Sequence, residues 1–302
     1  KTISIFPNRE SLNHFFQKNV TKGVLLSDEH FGNKLGHAVD HVANYKKYQG
    51  ESVEGNLVLE LGSGWYPVVP VVLFLNGAER TDSLDIQSWM NHETIVTTFK
   101  KFLEWHDNGK LAEFIPELDE EKWKQLMDLL AQSKDMSYEA LLESINLKLY
   151  LKDARNTGFE KESYDFICSN NTFEHIYPEV LSPILKEFKR LCKPTGFMCH
   201  FIDLSDHFAH FDHSISIYNF LKFSESSWRN IDNKIQPQNR LRWPAYIRMY
   251  NDLGIPVSGE EIRKGELDLL SQVKVNKQAF DYSDEELAIS HGYIFSKMTA
   301  SK

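Results

Sequence analysis

Apolar residues recur along this chain in two alternating rhythms. Over residues 8–48 they come at three- and four-residue steps, with Phe15 and Phe16 followed by His37, His41, Tyr45 and Tyr48, which predicts a helical lead-in. Gly55 breaks that rhythm. Asn56-Leu57-Val58-Leu59-Glu60-Leu61 is then a short apolar run that stops abruptly at Gly62-Ser63-Gly64, the signature of a buried strand feeding a glycine turn. Trp65 to Leu75 is apolar and closes on Asn76-Gly77, a helix C-terminal signal. Arg80 to Ile86 reads as a second strand with helix beyond it to about Phe102, completing a βαβ unit.

The rhythm changes over residues 103–146. A polar stretch around Trp105 to Gly109 precedes an amphipathic pattern (Trp123, Leu126, Met127, Leu129, Leu130, Leu141, Leu142, Ile145), which predicts a helical insertion. Strands follow at Leu147–Leu151 and Tyr164–Ser169, a helix from about Pro178 to Cys192, and a strand at Phe197–Ile202 after the Lys193-Pro194-Thr195-Gly196 stop. Beyond these, Pro244–Leu253 reads as helix, Ile255–Val257 as strand and Gly292–Ser296 as a terminal strand. Alternating strands and helices predict an α/β fold, a doubly wound and mostly parallel sheet with helices on both faces. The expected organisation is one domain over 1–302, with an N-terminal helical cap (1–54), a core (55–102 and 147–302) and the 103–146 insertion as a lid or a homodimer contact.

Composition narrows the function. The 302 residues are 41% hydrophobic and 25% charged, which excludes a disordered or fibrous chain, and the formal net charge of −9 disfavours a polyanion as main partner. No apolar run approaches the roughly 18–20 residues of a membrane-spanning helix. Cys168, Cys192 and Cys199 lack CxxC spacing, and Lys1 to Pro7 carry neither an initiating Met nor a signal-like segment, so a cytoplasmic location is expected.

The glycine turn lies where a doubly wound sheet binds ligands, beyond the carboxyl ends of its strands. Pro67 stands where a dinucleotide fingerprint would have its third glycine, no Lys-Ser/Thr pair follows, and Arg80 is the one basic residue between Leu57 and Ile86. A ligand poor in phosphate fits best. Asp85 lies 21 residues beyond Gly64, at the end of the second strand, where a carboxylate accepts both hydroxyls of a ribose. The alternative is a plain tight turn with Asp85 capping a helix.

Further along come Asp153-Ala154-Arg155, then Tyr164-Asp165-Phe166-Ile167-Cys168-Ser169-Asn170-Asn171-Thr172-Phe173-Glu174-His175-Ile176, then the Lys193-Pro194-Thr195-Gly196 turn. With Glu60-x-Gly62-x-Gly64 and Asp85 this ordered series resembles the class I S-adenosylmethionine-dependent methyltransferases, over about residues 57–203. The resemblance implies a Rossmann-like core, S-adenosylmethionine as cofactor and S-adenosylhomocysteine as product. It implies that Glu60, Gly62, Ser63 and Gly64 line the methionine moiety and that Asp85, with Ile86 beside it, holds the ribose. Asp153 and Ala154 would meet the adenine, and Asn170 would sit near the sulfonium. Tyr66 departs from the pattern, since many members carry a further glycine there. The ligand has a carboxylate, an ammonium and a sulfonium but no phosphate, in keeping with the turn.

Four of the twelve histidines (His200, His207, His210, His213) fall within residues 200–213, interleaved with Asp203, Asp206 and Asp212 after the fifth strand. His207 or His210 is a candidate general base, oriented by Asp206 or Asp212. A divalent metal shared by these side chains is a second reading, and a loop held by hydrogen bonds and by Phe208 and Phe211 is the third; no metal is assigned. His37 and His175 read as positioning residues, and His37 with His41 lacks the Glu of a zinc-binding HExxH helix. Arg240, Arg242 and Trp243, within an Arg- and aromatic-rich stretch over 228–250, are candidates to bind an anionic or sugar-like small-molecule acceptor, or else form an amphipathic surface. The expected activity is methyl transfer to oxygen or nitrogen of a small molecule. The alternatives are an RNA or protein methyltransferase of the same fold and a non-catalytic S-adenosylmethionine-binding protein.

Overall fold

A computed structural model describes residues 25–210, 212–232 and 237–299, so that Phe15, Phe16 and Phe211 lie outside the described residues. Helix α1 (Asp28–Gln49) starts where Ser27 Oγ accepts the His30 N–H and ends at Gly50 in the left-handed conformation. Then come β1 (Leu57–Leu61), α2 (Val68–Leu75), β2 (Arg80–Asp85), α3 (His92–Asp107), α4 (Leu111–Phe114), α5 (Glu120–Gln132) and α6 (Tyr138–Ser144). They are followed by β3 (Leu147–Leu151), β4 (Tyr164–Asn170), α7 (Pro178–Leu191) and β5 (Cys192–Asp203). The remainder holds α8 (Glu225–Ile231), α9 (Trp243–Asp252), β6 (Gly259–Arg263), α10 (Leu267–Ser271), α11 (Asp284–Ala288) and β7 (His291–Lys297). Among the described residues no helix is long and apolar enough to cross a membrane.

The strands form a mixed sheet in the order β3-β2-β1-β4-β5-β7-β6. β1 pairs in parallel with both β2 and β4, β2 in parallel with β3, and β6 runs antiparallel to β7. The chain winds outward from β1 through β2 to β3, then returns to β4 on β1's other side. That reversal places the crevice of a doubly wound sheet at the carboxyl ends of β1 and β4. The register sets Glu60 beside Ser83 on one side and beside Cys168 on the other.

The chain divides into two compact units, one of Leu25–Asn170, Glu187–Cys199 and the residues from Lys297, the other of Asn171–Lys186 and His200–Ser296. The first contains β1 to β4 and their helices. Its α2 is buried at every residue, which explains an apolar run without amphipathic periodicity. Phe31, Leu35, Ala38, His41 and Tyr45 of α1 are buried on one stripe, and the Phe31 ring stands edge-on to Phe102 and Trp105 of α3 at centroid distances of 5.0 and 4.9 Å. The other unit has a core of Tyr218, Phe220, Leu221, Trp228, Leu270, Phe280 and Leu287.

Several expected boundaries move. The first sheet helix begins at Val68 rather than Trp65, since Pro67 takes the N-cap and Pro70 falls in the first turn, where its missing N–H has no intrahelical acceptor. Helix α3 runs on to Asp107, so the 103–146 segment opens inside a helix and holds three more. Lys193 to Gly196 lies within β5 instead of forming a turn before it, and the Gly196 carbonyl accepts the Met298 N–H. The strand expected at 255–257 is instead β6 at Gly259–Arg263, an exposed edge rich in charge.

Replacing Phe31 by alanine removes a fully buried ring from between two aromatic edges. It should lower stability by about 3–5 kcal/mol, read as a drop in the urea midpoint at unchanged slope.

Candidate active site

The glycine turn is built as the strand register requires. Gly62 and Gly64 have φ of 90° and 57°, a region that costs side-chain-bearing residues strain, and the Gly62 N–H continues the ladder to the Leu84 carbonyl at 2.9 Å. Because Glu60 and Ser83 are register partners, the Ser83 hydroxyl donates to Glu60 Oε2 at 2.7 Å. Burial raises the Glu60 carboxyl from 4.5 to about 7. Ser83 and the half-buried Lys34 of α1 pull it the other way, and Asp85 adds repulsion. A β-carbon built on Gly64 would come within 4.0 Å of the Lys34 ammonium, which reaches over the turn from α1.

Asp85 ends β2 with its carboxylate aimed back at this turn. Ser63 Oγ donates to Oδ2 at 3.1 Å and the Gln87 N–H to Oδ1 at 3.1 Å. Burial pushes its pKa up against these donors. Ile86 beside it is 78% exposed, an apolar side chain left in the open. At the end of β3 Asp153 is exposed and clasped by the Arg155 guanidinium, with Nε at 3.0 Å from both carboxylate oxygens, while Ala154 is buried.

Asn170 closes β4 and is pinned from α1, where His41 Nε2 lies 2.9 Å from Asn170 Oδ1 and His41 Nδ1 2.9 Å from Cys199 Sγ. An amide oxygen only accepts, so Nε2 carries the proton and the Cys199 thiol donates to Nδ1. Burial drives His41 down to about 3, and it is neutral at physiological pH. Glu60, Asp85 and Asn170 thus lie in the last residues of β1, β2 and β4, and the glycine turn, Asp153 and Ala154 just beyond β1 and β3, all in the first unit. Lys34, Ser83 and the link from His41 to Cys199 escaped sequence reasoning. Strand register identifies Ser83, whereas nothing local in sequence ties Lys34 to a turn thirty residues away.

The histidine-rich segment belongs to the other unit and centres on Asp203. His207 Nε2 lies 3.4 Å and His210 Nε2 3.8 Å from Asp203 Oδ2, and His291 of β7 has Nε2 3.2 Å from Oδ1, which also accepts the Ser205 N–H at 2.7 Å. Burial would raise this carboxyl, but His207, His291 and Ser205 outweigh it and hold it well below the usual carboxylate range. The carboxylate beside His207 and His210 is Asp203, not Asp206 or Asp212. Asp206 accepts from the Phe208 N–H and the Asn219 amide, and Asp212 from Ser214. His210 is half-exposed, with Nε2 3.1 Å from Ser205 Oγ. His200 is buried and stacked on Phe173 at 4.5 Å, and His213 is exposed. Glu174 and His175 join the group, with the His175 and His207 rings 4.8 Å apart.

Arg240, Arg242 and Trp243 are all buried. Arg242 donates through Nη1 to the Leu204 carbonyl at 2.8 Å and through Nη2 to those of Leu287, at 2.8 Å, and Ile289. Burial lowers its pKa to about 10, which leaves it charged at neutral pH. Arg240 donates to the Phe220 and Phe223 carbonyls and to Glu225, stacked between Trp228 and Phe280 at 4.8 and 4.9 Å. Trp243 Nε1 donates to Glu260. The Nη donors of both arginines and the Trp243 indole N–H are thus committed to the protein's own backbone and carboxylates, while Arg240 Nε and Arg242 Nε are buried without a hydrogen bond.

Residues 126–200 match a family model described as a methyltransferase domain, a segment running from α5 into β5. No curated protein sequence matches the chain. Among solved structures it is similar to geranyl diphosphate C-methyltransferase from Streptomyces coelicolor A3(2), determined with Mg2+, geranyl diphosphate and S-adenosyl-L-homocysteine (10% identity, 99% of this chain and 88% of that one, TM-score 0.48). It is also similar to the Burkholderia thailandensis 1,6-didemethyltoxoflavin-N1-methyltransferase with S-adenosylhomocysteine (10% identity, 96% and 85% covered, TM-score 0.47). Nothing about the acceptor follows from likenesses this distant. The family-model match covers about a quarter of the chain and includes β3, β4 and the start of β5, where the later motifs of the sequence lie.

Removing the Arg242 guanidinium leaves three buried carbonyls without donors. Arg242→Met should therefore destabilise the protein by about 3 kcal/mol or more, measured by denaturant titration, despite its apolar gain.

Proposed function

We propose that this S-adenosylmethionine-dependent methyltransferase moves a methyl group to an oxygen or nitrogen of a small molecule, with the cofactor held at the carboxyl ends of β1 and β2. The observation that carries the cofactor half is the paired arrangement of Glu60 with Ser83 and Asp85 with Ser63 around a positive-φ glycine turn. Two carboxylates suit an ammonium and a ribose diol, and the turn has no phosphate-binding Lys-Ser/Thr motif. Lys34, over Gly64, suits the ligand's carboxylate, and exposed Ile86 offers an apolar face to adenine. Asp153 and Ala154, just past β3, are assigned to the adenine as well. Asn170, oriented by His41, presents its amide beside the glycine turn's strand. The bound cofactor supplies an electrophilic methyl on a sulfonium, so the chain's own work is alignment, exclusion of water and, for an acceptor that must lose a proton, a base.

His210 suits the base better than His207. It is half-exposed while its Nε2 stays within reach of Ser205 and Asp203, whereas His207 is largely covered. A neutral imidazole fits that role, and burial lowers the His210 pKa, against the pull of Asp203. The acidic chain as a whole supports a small acceptor over nucleic acid.

Calorimetry with S-adenosylmethionine and S-adenosylhomocysteine tests the cofactor site. Asp85→Ala should weaken binding by about 1.5–3 kcal/mol, the loss of a charged hydrogen-bond pair, and absence of binding by the intact protein would refute the reading. Turnover of methyl-labelled S-adenosylmethionine against a panel of phenols, carboxylic acids, amines and sugars then tests the acceptor class; methylation of added RNA or protein alone would overturn it.

Glu60 gives the reading a pH signature. Its folded pKa is raised, so the unliganded fold gains from protonation at low pH and loses that contribution as pH climbs from about 4.5 through about 7. An ammonium beside it favours the ionised form, so binding releases a proton and S-adenosylmethionine affinity should rise between pH 6 and 8. The groups facing Glu60 are Lys34, Asp85 and Cys168, and the rise should vanish in Glu60→Gln.

A further inference from the structure

Near Asp203, three side chains bring potential ligating atoms close together. Glu174 sits in the short 3-10 turn Phe173–His175 just after β4, is 2% exposed, and has both carboxyl oxygens buried with no well-aligned hydrogen bond, the backbone N–H groups of Glu174 and Asp203 standing by as weak donors. A buried carboxylate in that state costs several kcal/mol, and nature ordinarily gives it donors or a cation. Arg242 shows the contrast within the same unit, since its buried charge is met by three carbonyls.

His175 supplies the second lone pair. Its Nδ1 lies 2.7 Å from the Pro237 carbonyl, which can only accept, so the proton resides on Nδ1 and Nε2 presents a free pair. A backbone carbonyl fixing the tautomer through the far ring nitrogen is the arrangement found behind metal-bound histidines. The third ligand is an imidazole nitrogen of His207, whose buried Nε2 lies 3.4 Å from Asp203 Oδ2, so that metal binding there displaces its contact with that carboxylate. One ligand atom from each of Glu174, His175 and His207 lies within 4.8 Å of the other two. Ligands at about 2.1 Å from a tetrahedral ion stand about 3.4 Å apart, so no pair in the cluster has to close by more than about 1.4 Å, a movement within reach of side-chain rotations.

We propose that Glu174, His175 and His207 form a binding site for one divalent transition-metal ion of the zinc type. Two imidazoles and one carboxylate are a borderline donor set that suits zinc and its neighbours and not the all-oxygen preference of magnesium or calcium. The ionised Asp203 next to His207 balances the charge that one carboxylate leaves on the ion. Three protein ligands leave a tetrahedral ion one open position, where an anionic oxygen or nitrogen could coordinate. The site stands on its own geometry and holds whether or not the chain transfers methyl groups.

The test is calorimetric titration of chelator-treated full-length protein with zinc chloride, together with elemental analysis after dialysis. One equivalent of zinc should bind and raise the melting temperature. Glu174→Gln and His207→Gln, which keep side-chain shape, should each weaken binding at least tenfold, while His213→Ala, an exposed member of the histidine-rich segment, should not. Circular dichroism establishes that each variant is folded. No zinc uptake by the folded wild type overturns the proposal by itself. It is equally overturned if both Gln variants bind as the wild type does, or if His213→Ala abolishes binding and so marks adventitious capture by surface histidines.

Discussion

The pairing of β1 with β2 on one side and β4 on the other is the constraint from which the rest of the first unit follows. Parallel neighbours on both sides bury the strand on both faces, which is why it reads as an apolar run and why its one carboxylate, Glu60, is forced inside. Register then chooses the neighbours of that carboxylate, a hydroxyl from β2 and a thiol from β4. Where the ladder ends, two glycines with positive φ turn the backbone away, and Asp85 on the adjoining strand end closes over the turn through Ser63. The chemistry of this end of the sheet is a consequence of where three strands stop.

Much of that was legible from sequence because it depends on local signals. Strand β1 is a short apolar run between Gly55 and Gly62, β3 and β4 are short runs rich in apolar residues, and Glu60, Asp85 and Asn170 lie at the ends of β1, β2 and β4. What was not legible depends on distant partners. Lys34 reaches the glycine turn from a helix with no motif of its own. Strand β6 has Glu260, Glu261 and Arg263 in five residues, so its polar edge carries no hydrophobic alternation to announce it. The apolar segment at 255–257 offered a better pattern and is not a strand.

The arginines of the other unit show the same limit more sharply. Arg, Trp and Tyr interleaved over 228–250 suggest a ligand surface by composition, yet only the fold reveals that the carbonyls of Leu204, Leu287 and Ile289 converge on Arg242. A guanidinium with five donors in a rigid fork can tie three chain segments where no regular ladder reaches them. The histidine-rich segment is mixed in this respect. Its clustering was plain in the sequence, but the carboxylate that organises it is Asp203, and two of its neighbours, Glu174 and His291, come from elsewhere in the chain.

All three cysteines are buried, and all belong to the sheet unit. Burial pushes Cys168 well above its usual thiol range and Cys192 up to about 12, while the Cys199 thiol is hydrogen-bonded to His41 Nδ1. None offers a thiolate to an electrophile in the closed fold. The native chain is therefore silent towards alkylating reagents, and each thiol becomes a clock for the opening of its own strand. A cysteine placed on the surface would be the one site such reagents mark, so a fluorophore could be attached without first removing any natural residue.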